Sequence, residues 1–304
     1  MHVVRGIELG RVGIWTGQLD YQSADDVRAA AAEVEQLGYG ALWTGEAVGR
    51  EVLVAAGLLL AATSRLVVAT GIANIWARDA LAMTAGQNAL AEAFPGRFLL
   101  GIGVSHAPLL EVRGLDYSKP LSMMRAYLEA MMSGREVYRA VRPREQPPLV
   151  LAALGPKMLE LAGTGADGAH TYFVPPEHTA DARAILGPGK LLVPEQAAVL
   201  ESDPGRAREL ARRHTTSYLR LANYTNNLRR FGFGDEDFAD GGSDRLVDTI
   251  VAWGDESAVA ARVRAHLDAG ADHVCVQVLD PDRRGLPREQ WRRLAPALLE
   301  AAAG

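Results

Sequence analysis

The residues of this chain best equipped for chemistry fall in short clusters, each close behind an apolar run. They are Trp15, Glu46, Gly71-Ile72 with Asn74 and Trp76, Ser105-His106 after Gly103, and Gly155-Pro156-Lys157. Glu46 is a carboxylate suited to donating a proton or orienting a ring nitrogen, and equally to stabilising its own loop. His106 titrates near neutrality, which suits a proton relay or a donor to developing negative charge, and equally a structural ring. Gly71 offers a backbone that a flat ring can approach, and Ile72 an apolar face for it; the alternative is an ordinary glycine turn. Asn74 can hydrogen-bond a ring or cap its own backbone, and Trp76 can line a pocket or pack in the core. Gly155-Pro156-Lys157 opens a helix, whose free N–H groups and lysine suit an anion such as phosphate.

Clusters so far apart in sequence form one site only if the fold converges them. Apolar runs at 12–15, 41–43, 66–70, 98–102, 149–152, 169–174, 190–200 and 273–279 read as strands. Helical patterns follow them at 25–37, 51–62, 79–94, 118–132, 156–161, 179–186, 204–230 and 255–269, and 287–302 closes the chain. Asp79 is placed to cap the third of these helices. The strands lack clean alternation, as strands covered on both faces do. Repeated strand–helix units of this length predict an α/β fold, a (β/α)8 TIM barrel over 1–304 as a single domain, with active groups at the C-terminal strand ends. The alternative is a doubly wound sheet, but Gly10-Arg11-Val12-Gly13 is not the dinucleotide fingerprint it would carry. Residues 202–253 form a helical insertion between strands 7 and 8, with a glycine- and aspartate-rich turn region at 231–243. The insertion either shapes a substrate cavity or decorates the periphery. Within it, Tyr224 either faces substrate or packs its helix on the barrel.

Composition narrows the partners. The 304 residues carry 32 Lys+Arg against 37 Asp+Glu, a net charge of -5 without a basic tract, so nucleic acid is not an expected partner. Cys275 is the sole cysteine, which excludes an intramolecular disulfide and cysteine-based zinc sites and leaves it as a small core side chain. His2, His170, His178, His214, His266 and His273 show no metal-ligand spacing, and no HExxH pair is present, so no metal is expected. The most apolar stretch, 52–62, is too short to span a bilayer. No charged and then apolar leader pattern opens the chain, so a cytoplasmic enzyme is expected.

Five stretches carry a family resemblance: LGYGALWTGEA (37–47), TGIANIWARDA (70–80), GRFLLGIGVSH (96–106), LAALGPKMLELAGTGADGAH (151–170) and WGDESAVAARVRAHLDAGADHVCVQVL (253–279). In this order and spacing the chain resembles the luciferase-like monooxygenase superfamily, and more narrowly its coenzyme F420-dependent oxidoreductase branch. The resemblance covers nearly the whole chain. It implies a luciferase-like barrel with a non-prolyl cis peptide at Gly71-Ile72, where Ile72 buttresses the cofactor ring. It implies phosphate or tail contacts at Gly155, Pro156 and Lys157, and places Ser105 and His106 near the head group or tail entry. With these, Trp15 and Asn74 complete the expected cofactor contacts.

Glu46 falls where relatives place an acidic residue or histidine near the active centre. Some deazaflavin dehydrogenases carry an acid followed by histidine there; this chain reads Glu46-Ala47, so a sugar-phosphate dehydrogenase activity is not expected. The implied activity is hydride transfer between F420 and a small organic substrate, with Glu46 and His106 as the candidate catalytic residues. The alternatives are an FMN-dependent luciferase-like monooxygenase and a non-catalytic barrel acting through protein contacts. The family commonly pairs through helices beside the early strands, so a homodimer is expected.

Overall fold

The computed structural model describes residues 3–303, so His2 lies outside the described residues. Every expected strand forms: β1 (Val12–Trp15), β2 (Ala41–Thr44), β3 (Val67–Thr70), β4 (Phe98–Gly103), β5 (Leu149–Ala152), β6 (Gly168–Thr171), β7 (Leu191–Val199) and β8 (Val274–Val278). All are parallel and each pairs with its sequence neighbour. Pairing of β8 with both β7 and β1 closes the ring into the expected TIM barrel.

Inside the barrel, Trp43, Val67, Ala69, Leu99, Val150 and Val193 pack with Cys275, which is the small core side chain its sequence context suggested. Ile7 and Leu9 join this interior from the chain before β1, behind a short hairpin of Val3–Val4 and Ile7–Glu8. A second apolar layer lies between strands and outer helices. Side-chain oxygens fix where those helices start. Ser23 accepts from the Asp26 amide at 3.1 Å, and Asp79 caps its helix as expected, accepting from Ala82 at 2.8 Å.

Between β7 and β8 the chain builds a cover with its own core. Phe173, Ala197 and Val199 at the ends of β6 and β7 pack against Ala207, Ala211 and Leu228 from the helices Pro204–Tyr218 and Ala222–Arg229. The single helical stretch expected at 204–230 is therefore two helices, because Leu221 adopts an extended conformation between them (φ -104, ψ 114). The expected turn region at 231–243 contains a short helix, Asp235–Phe238. β6 ends at Thr171 rather than at 174, because Phe173 turns the chain with a φ of 60. The helix expected at 118–132 starts at Pro120 and runs on to Val137.

The entry to β3 is clamped from two sides. Glu35, at the end of helix Ala24–Gln36, accepts the amides of Ser64, Arg65 and Leu66 at 2.9, 2.6 and 2.8 Å. Arg97 donates to the carbonyls of Leu60, Thr63 and Leu66 in the same turn. Burial pushes the Glu35 carboxyl up, but the amides of Arg65, Leu66 and Ser64 outweigh it and hold the group at about 2. A carboxylate held below its unfolded value of 4.5 stabilises the fold above that pH and stops doing so as pH falls through about 2. Glu35→Ala is thus expected to lower the melting temperature at pH 7, with the gap to wild type closing as the pH approaches 2. Equal melting temperatures at pH 7 would contradict the clamp.

Candidate active site

The C-terminal end of β3 is where the strand-end clusters meet. Thr70 ties β3 to β4: its hydroxyl donates to the Gly101 carbonyl at 2.7 Å and accepts the Gly101 amide at 2.8 Å. The next peptide bond, Gly71–Ile72, is cis, in agreement with the family resemblance. The Gly71 carbonyl accepts the Trp15 indole N–H at 2.9 Å, and the Ile72 carbonyl accepts the Glu46 amide at 3.1 Å. Glycine is required at two positions here. A Cβ on Gly71 would stand 2.8 Å from Trp15 Nε1, and one on Gly103 would stand 2.7 Å from Ile72 Cγ1. The half-buried Ile72 side chain therefore lies across Gly103, as an apolar ledge at the barrel mouth.

Glu46 holds this ledge from behind. Its carboxylate accepts the Asn74 amide at 2.8 Å and pairs through both oxygens with Arg78. The two side chains are only 5% and 10% exposed, so the pair is largely desolvated. Arg78 also reaches Glu51 at 2.5 Å, and the Tyr127 hydroxyl donates to its carbonyl. Burial alone would lower the Arg78 guanidinium; the hydrogen bond and charge of Glu46, helped by Glu51, keep it above its ordinary value. Arg78 went unassigned in the sequence. Its readable signal is that it is the one cation of the TGIANIWARDA stretch.

Asn74 is fully buried. Its Oδ1 accepts the Trp76 amide at 3.0 Å, which is the backbone-capping role, while Nδ2 has no protein partner. Trp76 packs against the core between strands and helices, and its indole donates to the Val104 carbonyl at 3.0 Å, carrying the ledge over to Ser105 and His106. Ser105 turns the chain with a φ of 60. His106 Nε2 lies 3.5 Å from the Tyr224 hydroxyl, and buried Nδ1 has no protein partner. Burial holds His106 below its ordinary value, so the ring is neutral at pH 7. Trp15, Glu46, Gly71, Ile72, Asn74 and His106 thus form one neighbourhood. Gly155-Pro156-Lys157 stands apart: among the described residues no hydrogen bond joins it to that group. Gly155 begins its helix without a side-chain cap, and exposed Lys157 lines a groove with Leu121, Arg125 and Glu160 between two helices.

Further polar groups converge behind the mouth. The Tyr172 hydroxyl donates to Gln277 Oε1 at 2.6 Å and lies 2.8 Å from the Tyr218 hydroxyl. The Tyr172 ring packs against Trp15 with centroids 5.5 Å apart. Glu195 sits in β7 at 1% exposure, with Oε2 accepting the Phe173 amide at 3.3 Å and Oε1 unpartnered. Burial raises its carboxyl from 4.5 to about 8, against a smaller lowering by that amide. The signal for Glu195 was a lone carboxylate inside the apolar run LLVPEQAAVL.

Two stability tests follow from these buried charges. Arg78→Ala leaves Glu46 desolvated without its cation and is expected to cost about 3–5 kcal/mol. The added change Glu46→Gln should recover part of that loss, and an unchanged unfolding midpoint for Arg78→Ala would contradict the pairing. For Glu195, the folded state keeps a proton that the unfolded chain releases, so stability falls as pH rises from about 4.5 to about 8. Glu195→Gln should flatten that slope in pH-dependent melts; an identical slope would contradict the buried neutral acid.

The family pattern of the luciferase-like monooxygenases matches residues 9–273. A Mycobacterium tuberculosis protein named as a coenzyme F420-dependent oxidoreductase is 29% identical over 187 residues, 60% of this chain and 50% of that protein. The 5,10-methylenetetrahydromethanopterin reductase of Methanolobus tindarius is 27% identical over 149 residues, 44% of this chain and 46% of the reductase. The matched stretches span about half the length of these curated relatives. The solved structure of an F420-dependent secondary alcohol dehydrogenase in complex with an F420-acetone adduct shares the fold, with a TM-score of 0.76 at 16% identity over 96% of this chain and 99% of that one. The chain belongs to the luciferase-like monooxygenase family.

Proposed function

We propose that this protein uses coenzyme F420 to transfer a hydride to or from a small organic substrate at the barrel mouth. The observation that carries this reading is the ledge of Ile72 over Gly103, with Asn74 Nδ2 and His106 Nδ1 both buried near it without protein partners. A buried polar atom left unpaired costs about 1–3 kcal/mol, which a bound ring with polar edges would relieve. A flat heterocycle suits such a place, with an apolar face for Ile72 and edge atoms for the two nitrogens.

When bound, the deazaflavin supplies a ring carbon that takes up or releases hydride. The protein supplies the seat. Trp15, Gly71, Ile72 and Asn74 form the ledge, and Ser105 and His106 its rim. The uncapped amides after Gly155-Pro156 and the Lys157 ammonium suit the phosphate or the anionic tail. Glu46 is occupied on both oxygens by Arg78 and by the Asn74 amide, so its part is to hold the ledge rather than to exchange protons. Neutral His106 faces the substrate as donor or acceptor. The cover over the ends of β6 and β7, which includes Tyr218 and Tyr224, shapes the substrate cavity. A second copy of the chain pairs against helix Val52–Ala61, whose outer side presents Val54 at 65% exposure.

Spectral titration distinguishes the cofactors: saturable binding of F420 and a substrate-dependent absorbance change are expected, and the same result with FMN instead would sink the F420 reading. His106→Ala should reduce turnover at saturating cofactor by about 10²-fold, with melting unchanged; full turnover would remove His106 from the chemistry. Light scattering in solution should give twice the mass of the chain, and a monomer would refute the pairing.

A further inference from the structure

His106 stands at the rim with its backbone fixed. It adopts an extended conformation (φ -133, ψ 149) ahead of helix Ala107–Glu111, and its carbonyl accepts the amides of Leu109 and Leu110 at 3.0 and 3.2 Å. Among the described residues the imidazole hydrogen-bonds only with the Tyr224 hydroxyl, 3.5 Å from Nε2, with ring centroids 5.4 Å apart. Nδ1 is buried and has no partner in the protein. A neutral imidazole carries one proton, on either nitrogen, and the partner of one nitrogen decides which.

Tyr224 comes from the cover, 118 residues further along the chain. Its ring is 5% exposed, held edge-on against Tyr218 with centroids 5.2 Å apart and against Phe173 at 5.4 Å. Tyr218 is itself tied to Tyr172 through their hydroxyls at 2.8 Å, and Phe173 occupies the turn after β6. Packing therefore sets where the Tyr224 hydroxyl points. Burial pushes that hydroxyl well above its ordinary value, so it keeps its proton. Among the described residues it has no other hydrogen-bond partner. With Tyr224 as donor to Nε2, the phenol proton is used and the imidazole proton sits on Nδ1. With Nε2 as donor, the phenol O–H would be left in a buried place without an acceptor, which is the costlier arrangement.

We propose that Tyr224 is a positioning residue that holds the His106 proton on Nδ1, so that the ring offers an N–H rather than a lone pair to the reacting substrate. The inference rests on the oxidoreductase reading above and says in which form His106 serves it. When hydride adds to the carbon of a polarised double bond, the π electrons move to the neighbouring heteroatom, and a proton from solvent completes the product. A fixed N–H at that heteroatom lowers the cost of the charge that gathers there. In the opposite direction the substrate first loses a proton to solvent, and the same N–H stabilises the anion from which hydride leaves. The cover thereby reaches the chemistry through one hydroxyl.

Long-range proton–nitrogen NMR spectra of the cofactor-free protein, with isotope-labelled histidine at pH 7, test the tautomer. In wild type the His106 signals, identified by their loss in His106→Asn, should show a protonated Nδ1 and a bare Nε2. In Tyr224→Phe, which keeps the ring and removes the hydroxyl, a protonated Nε2 should appear. A proton on Nε2 in wild type, or an unchanged pattern in Tyr224→Phe, would overturn the proposal. Turnover of a panel of simple ketones, aldehydes and enones with reduced F420 reads the consequence. An asparagine amide nitrogen stands where Nδ1 stands, and a glutamine amide nitrogen where Nε2 stands. His106→Asn should therefore keep about 10-fold more kcat than His106→Gln. Tyr224→Phe should lower kcat about 10-fold at unchanged KM, and should cost nothing further when added to His106→Asn. Equal or better turnover by His106→Gln would overturn the donor role. Absence of wild-type turnover across the panel would overturn the function reading alone, because the spectra decide the tautomer without it.

Discussion

Closure of the barrel depends on β7 serving two partners with different halves of its length. Leu191–Pro194 lie in register with Gly168–Thr171 of β6, and Glu195–Ala198 with Cys275–Val278 of β8. This stagger is what tilted strands need in order to meet around a ring. It also places chemistry. Glu195 is the first residue to face β8, and Gln277 stands level with Ala197 two positions further on. Because β6 turns at Phe173, the Phe173 amide points at Glu195. The polar floor of the site is thus a consequence of how the ring closes.

The ledge is held by a different device, a chain of side chains from neighbouring strand ends that grip the backbone after β3. Trp15 from β1 takes one carbonyl, and the Glu46 loop after β2 takes the next carbonyl and the Asn74 amide. Arg78 then neutralises Glu46 from the far side of the same loop. Each grip is a hydrogen bond to a buried group, where an orphaned partner is expensive. The ledge is rigid because these bonds are shared around it. Beside the ledge, Asn74 Nδ2 and His106 Nδ1 are buried without protein partners.

The barrel itself was legible in the sequence because strands covered on both faces leave unbroken apolar runs, and helix caps such as Asp79 leave their own mark. The glycines at 71 and 103 were legible as places of close approach. The sequence did not reveal which atoms would meet. Glu46 looked free to exchange protons until Arg78, 32 residues later, took its carboxylate. Tyr172 and Tyr218 lie 46 residues apart, and their hydroxyls meet only because the cover folds back over β6. The break at Leu221 carries no glycine or proline signal, and at β6 the prolines at 175 and 176 mark only where the next helix starts, so the early turn at Phe173 could not be read.

The most direct measurement is a crystal structure of the protein with F420 bound. The ring should lie flat on Ile72 over Gly103, with Asn74 Nδ2 and His106 Nδ1 each within hydrogen-bond distance of it or of the substrate. A cofactor seated elsewhere, or those two nitrogens still unpartnered beside a bound ring, would contradict the central claim.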